Sequence, residues 1–143
     1  FDKAINNSKK VAMSLSDLFC VERHKTHFLN LVKNKLDITF ANEQEITSLI
    51  EAKNFSEVVD FSKQLNKLVI ITRGEKGAVA VNGEEIFESG VQQNLKIMDL
   101  TGAGDLFAAG FLHGYINESS VRECLKKGTE MSSRVIQQIG ARL

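Results

Sequence analysis

Three short apolar runs, at residues 11–15, 36–41 and 68–72, are each followed by a polar or glycine-containing loop, with helical periodicity filling the intervals between them. Runs this short and this continuously apolar read as strands, and strands separated by helical stretches read as parallel strands joined by crossover helices. Such a sheet has both faces covered, so the alternation points to an α/β fold. Between the first two runs, Phe28, Leu29, Val32 and Leu36 share one face of a helix predicted over residues 21–35. Asn54, with Glu57 three residues on, caps a helix predicted to end near Leu65. Residues 1–10 read as the end of a helix that runs into the first strand.

The pattern then changes. Residues 78–81 and 84–88 flank Asn82-Gly83, a pair suited to the two positive φ angles of a type I′ turn, so a β-hairpin is expected near the middle of the chain. Residues 95–100 read as a further short strand, and Phe107, Gly110, Phe111 and Gly114 recur at helical spacing after it. A last helix is expected to start at Ser120, whose capping-box partner is Glu123, with Val121, Leu125, Gly128, Met131, Val135 and Ile139 along one side. No repeat, linker or low-complexity stretch interrupts the 143 residues, so one compact unit is the simplest description.

Composition narrows the classes. Eighteen basic residues balance eighteen acidic ones, so no overall field attracts nucleic acid or an anionic membrane. No apolar run approaches the ~20 residues that span a bilayer, and the start of the chain lacks a signal-peptide layout, so a cytoplasmic location is the expectation. Cys20 and Cys124 match no metal spacing and read as reduced, partly buried residues. His24, His27 and His113 likewise show no ligand spacing.

Chemistry concentrates at Thr101-Gly102-Ala103-Gly104-Asp105, which opens the helix carrying Phe107. The first amides of a helix lack carbonyl partners and carry partial positive charge, so an anion can accept hydrogen bonds from them. Gly102 and Gly104 have no Cβ to hold a phosphate away. An Asp at this place can take a proton from a hydroxyl lying beside that phosphate. Taken alone, the pentapeptide fits a helix cap as well as a ligand site. Asn42 and Glu45, after the second strand run, likewise read as an N-cap and its capping-box partner. The turn Thr72-Arg73-Gly74-Glu75-Lys76-Gly77 follows the third run, as glycine turns commonly do. It lacks the spacing of a Walker A loop.

The segment Asp99-Leu-Thr-Gly-Ala-Gly-Asp-Leu-Phe-Ala-Ala-Gly-Phe-Leu112 resembles the C-terminal signature of the ribokinase (PfkB) family of sugar and nucleoside kinases. Asn42-Glu43-Gln44-Glu45 resembles that family's Asn-x-x-Glu motif, and Thr72 to Gly77 its Thr-[Lys/Arg]-Gly-x-x-Gly segment. The ending Ile-Gly-Ala-Arg and Leu15-Ser-Asp-Leu-Phe19 lean toward the adenosine-kinase-like branch. The resemblance implies a ribokinase-like, doubly wound, mostly parallel sheet with a hairpin near its middle, and a chain that forms the C-terminal, nucleotide-binding portion. The family's first half, which supplies a glycine-rich sugar-binding region and a lid, has no counterpart here, so a truncated product or fragment is expected.

For the site, the resemblance implies Asp105 as catalytic base, with the amides of Gly102, Ala103 and Gly104 stabilising charge on the transferred group. Asp99 and Thr101 read as residues that fix the loop, Thr101 also bordering the nucleotide. Thr72, Gly74 and Gly77 are implied as ATP contacts, and Gly128 and Thr129 as lining for adenine. Many members carry Asn or His where Thr129 stands, and close packing of its helix accounts for Gly128 equally well. Asn42 and Glu45 are implied to order water and Mg²⁺ near the phosphates.

The expected activity is transfer of the γ-phosphate of ATP to an alcohol of a sugar or nucleoside. The rival is a nucleotide-binding or association domain that performs no chemistry because the substrate half is missing. Expected partners are a small-molecule sugar or nucleoside and a second copy through an exposed sheet edge, with no nucleic acid and no membrane.

Overall fold

The computed structural model describes residues 2–142, and Phe1 and Leu143 lie outside the described residues. Strands β1 (Ala12–Ser14), β2 (Ile38–Asn42), β3 (Leu68–Thr72), β4 (Ala78–Asn82) and β5 (Glu85–Ser89) form one mostly parallel sheet in the order β1-β2-β3-β4-β5. In the parallel β1–β2 pair, Ala12 lies opposite Ile38, Met13 opposite Thr39 and Ser14 opposite Phe40. Helices α1 (Asp2–Asn7), α2 (Leu18–Arg23), α3 (Lys25–Asn34), α4 (Glu43–Ile50) and α5 (Phe55–Leu65) precede or join the first three strands, and α6 (Ala103–Ile116) and α7 (Val121–Val135) follow the hairpin. This is the α/β arrangement that the spacing of the apolar runs predicts.

The described chain divides into two compact units where the sequence reads most simply as one. The first comprises residues up to Ile71 with Val81–Ile86; the second comprises Thr72–Ala80 with the residues from Phe87 onward. In the first, Val69 and Ile71 of β3 join Leu31, Val32, Ile46 and Leu49 in a continuous apolar core. Val69 and Ile71 are 0% exposed, and burying each such side chain stabilises the fold by about 1.5–3 kcal/mol.

Three local expectations change. The helix predicted over 21–35 is two helices, because His24 leaves helical geometry at φ −123°. Its amide donates to the Cys20 carbonyl and closes α2, while its carbonyl accepts from Phe28 and opens α3. Asp17 caps the short α2 by accepting from the Cys20 amide, and Leu36, beyond α3, joins the core as loop. Periodicity is blind to one non-helical residue between two helices.

Residues 95–100 form no strand. The amides of Met98 and Asp99 both donate to the Ile136 carbonyl at the end of α7, at 2.8 and 3.3 Å, and so are not available to a ladder. The hairpin turn sits one residue later than expected, at Gly83-Glu84, with Asn82 still in β4 and Gly83 at φ +58°. A Cβ at Gly83 would lie 2.8 Å from Asn66 Oδ1, and with the positive φ this favours glycine here.

In the second unit α6 and α7 pack face to face. The expected stripe of Phe107, Gly110, Phe111 and Gly114 is buried, and the Ser120–Glu123 capping box is formed in both directions. From α7, Leu125, Gly128 and Val135 are buried, whereas Ile139 lies past the helix end and is 81% exposed. A Cβ added at Gly110 would fall 2.6 Å from the Lys127 carbonyl oxygen. Gly110→Ala should therefore lower unfolding stability by about 1–3 kcal/mol through overpacking. A Cβ at Gly104 meets nothing within 4 Å, so Gly104→Ala should leave stability unchanged or raise it by about 0.4–1 kcal/mol. Denaturant midpoints of the two variants measure the contrast.

Candidate functional site

The second unit holds most of the residues singled out from sequence. Gly102, at φ +78°, turns the chain into α6, and a Cβ there would lie 2.7 Å from the Ala141 Cβ, so both backbone and space require glycine. Its carbonyl accepts the Leu106 amide and starts the helix. The Ala103 amide is already engaged, donating to the Leu100 carbonyl at 3.1 Å. Among the described residues, the amides of Gly102, Gly104 and Asp105 have no acceptor. The open donors at this turn are thus 102, 104 and 105, where the sequence assigns 102, 103 and 104. The Asp105 carboxylate is exposed and makes no hydrogen bond or ion pair among the described residues.

Asp99 and Thr101 act within the loop, as their positions before the glycines imply. Asp99 Oδ1 accepts from the Thr101 amide at 2.9 Å and from Thr101 Oγ1 at 2.7 Å. Its Oδ2 accepts from the Gly140 amide at 2.9 Å. The Thr101 hydroxyl, the Gly140 amide and the Thr101 amide together hold the Asp99 carboxyl below the usual aspartate range.

After β3, residues 74–76 form a single 3₁₀ turn closed by Arg73 N–H to Gly77 O at 2.8 Å and Gly77 N–H to Gly74 O at 3.0 Å. Gly74 is exposed with open space at its Cβ position. Gly77 is buried, and a Cβ there would lie 2.0 Å from the Ser89 carbonyl oxygen. Ser89 Oγ in turn lies 3.0 Å from Thr129 Oγ1. The second unit therefore brings Gly77, Ser89 and Thr129 together; nothing in the sequence pattern singles out Ser89, which falls just past the hairpin predicted to end at Glu88. Gly128 is buried one residue away, with its Cβ position 2.9 Å from the Phe107 carbonyl oxygen. Packing of α7 on α6 accounts for this glycine.

Asn42 and Glu45 belong to the first unit, at the carboxyl end of β2. They form a full capping box. Asn42 Oδ1 accepts from the Glu45 amide, while Glu45 Oε2 and Oε1 accept from the Asn42 backbone and side-chain nitrogens, all at 2.8 Å. Glu45 is only 5% exposed. Burial raises its carboxyl above the ordinary glutamate value, the Asn42 amide partly offsets this, and the negative charge of Asp17 raises it further.

Among the described residues, no group of three or more His, Cys, Asp or Glu is placed to hold a metal ion. A carboxylate has about four lone-pair positions, and Glu45 uses two of them on Asn42. Cys20 and Cys124 are free thiols, half-buried and buried respectively. No helix of the described residues is long and apolar enough to cross a membrane.

The Glu45 carboxyl carbon, followed by NMR against pH, should titrate above an ordinary glutamate. The folded chain then takes up this proton before the unfolded chain does. Lowering the pH from neutral through the raised midpoint should favour the folded form, and the gain should level off below the unfolded-state value. Asp17→Asn should bring the midpoint down, and an unshifted midpoint in both proteins would contradict the burial seen here.

The pfkB family of carbohydrate kinases matches residues 2–143. The cytidine kinase of Thermococcus kodakarensis is 33% identical over 138 residues, covering 92% of this chain and 49% of its own length. The adenosine kinase of Sinorhizobium meliloti superposes with a TM-score of 0.90 at 42% identity, over 94% of this chain and 41% of its own. A probable sugar kinase protein from Rhizobium etli gives 0.91 at 40% identity, over 96% of this chain and 42% of its own. The chain thus spans less than half the length of each of these relatives. The family match runs from the second residue to the last, and the solved relatives share the fold across nearly all of this chain, so the protein belongs to the pfkB family of carbohydrate kinases.

Proposed function

We propose that this chain supplies the nucleotide side of a phosphotransferase that moves the γ-phosphate of ATP to an alcohol group of a nucleoside or sugar. The observation that carries the reading is the start of α6, where three amides without acceptors stand beside the unpartnered carboxylate of Asp105. Asp105 accepts the proton of the acceptor hydroxyl as that oxygen forms its bond to the γ-phosphorus. The bond from phosphorus to the β,γ-bridging oxygen breaks, and ADP leaves with the electron pair. The amides of Gly102, Gly104 and Asp105 meet the charge spread over the transferred group, and fixed donors of this kind act without reorganising.

Thr72, Gly74, Gly77, Thr129 and Ser89 border the nucleotide in this reading. Open space at Gly74 and the paired hydroxyls of Ser89 and Thr129 support it. Thr101 takes part through the loop it fixes. Mg²⁺ would enter bound to ATP and screen the phosphate charge. A nucleoside acceptor is supported by the likeness to a cytidine kinase and an adenosine kinase. A second reading is nucleotide binding or association without transfer.

Calorimetric titration with ATP and Mg²⁺, followed by a coupled kinase assay over a panel of nucleosides and sugars, separates the readings. Turnover supports the first, and binding alone the second. In protein that turns over, Asp105→Asn should lower kcat by about 10²- to 10⁴-fold while ATP affinity changes little. Near-normal turnover in that variant would refute the role given to Asp105.

A further inference from the structure

Charge in the first unit is sorted along the starts of its strands, at the end of β2 away from Asn42 and Glu45. Hydrogen bonds and close contacts give the order of the residues there. The Asp37 amide donates to the Val11 carbonyl at 2.9 Å, and Asp37 Oδ2 accepts from the Val11 amide at 2.8 Å, joining the start of β1 to that of β2. The Leu68 amide donates to the Asp37 carbonyl at 3.2 Å and joins β2 to β3. Asn66, just before β3, lies against the hairpin turn at Gly83. The row therefore reads Lys9-Lys10, Lys35, Lys67 and then Glu84-Glu85, all within the first unit.

The two ends of this row carry opposite, uncompensated charge. Asp37 is the one acid in residues 9–11, 35–38 and 66–68. Lys10 pairs with it at 3.6 Å, while Lys67 donates to the Val32 and Lys33 carbonyls at 3.4 and 2.8 Å. Lys9 and Lys35 are exposed, and their side chains make no hydrogen bond or ion pair among the described residues. At the other end Glu85 is exposed and unpaired in the same sense. Glu84 meets Lys63 at 3.3 Å, yet its side chain stays 87% exposed. From β1 to the hairpin turn is three or four strand spacings, ~14–19 Å. Surface charges are screened over about 8 Å at physiological ionic strength, so the lysines and glutamates at the two ends do not neutralise each other within one chain. A copy turned by half a revolution about the middle of the row sets each lysine end against a glutamate end. Such a contact is isologous and closes at two copies.

We infer that this row docks a second copy of the chain across a two-fold axis, strand starts to strand starts, with Lys9 and Lys35 of each copy facing Glu84 and Glu85 of the other. The carboxyl end of β2, with Asn42 and Glu45, is left open by this pairing.

Sedimentation of the wild-type chain over a dilution series should show a dimer in about 50 mM salt, with its dissociation constant at least about tenfold weaker in 500 mM salt. Two variants then test the two-fold arrangement. Lys9→Glu with Lys35→Glu makes the whole row acidic, and Glu84→Lys with Glu85→Lys makes it basic. Each should be monomeric alone, whereas an equimolar mixture should form a heterodimer, because every facing pair in it is opposite in charge. Recovery on mixing distinguishes a lost contact from a lost fold. Should either double variant fail to fold, Lys35→Glu and Glu85→Lys give the same three-way comparison.

A wild-type chain that is monomeric in low salt, a dimer indifferent to salt, or a mixture that stays monomeric overturns the inference. So does a monomeric wild type that retains polyglutamate through Lys9 and Lys35, which would give the row to an acidic partner instead.

Discussion

The second unit depends on how closely α6 and α7 approach. At Gly110 and Gly128 the backbone of one helix occupies the space where the other's Cβ would be, with carbonyl oxygens 2.6 and 2.9 Å from those positions. Contact of this kind has little slack, since interiors pack as densely as organic crystals. It fixes α7 along α6, and α7 then fixes its own neighbours. Thr129 follows Gly128 and meets Ser89, while the Ile136 carbonyl receives the loop that leads into α6. A glycine in a helix interior costs roughly 1 kcal/mol relative to alanine, and here it gives a rigid frame on which a loop and a helix start can be hung.

Where local chemistry decides structure, the sequence is legible. The Asn42–Glu45 and Ser120–Glu123 boxes form as their spacing predicts, because the partners lie within one helical turn and no distant residue is required. The buried face of α6 also follows directly from its periodicity. The failures share a different cause. Residues 95–100 have strand-like composition, yet their backbone donors are claimed by Ile136, a residue far along the chain. The break at His24 and the place of the Gly83 turn rest on the backbone angles of single residues, φ −123° and +58°, which no periodicity reports.

The candidate site divides along the same line. Gly102, Gly104 and Asp105 are recognisable because a helix start needs few residues to present free amides. That the Ala103 amide is engaged and the Asp105 amide open depends on one hydrogen bond to Leu100, which no motif records. Gly140 carries no chemistry of its own, and its part in the loop is visible only from the carboxylate that its amide meets. Ser89 enters for the same reason, through a hydroxyl whose partner lies on another element.

The capping box at the end of β2 has a further consequence for descent. Asn42 and Glu45 satisfy each other's polar groups and start α4, so the helix requires them whether or not phosphate ever arrives. Losing Glu45 would leave the backbone and side-chain nitrogens of Asn42 without these acceptors. A lineage that abandoned the chemistry would still be selected to keep both residues. Their presence in a related chain is a mark of inherited architecture, whereas the exposed Asp105, on which no structural hydrogen bond depends, is under no such structural constraint.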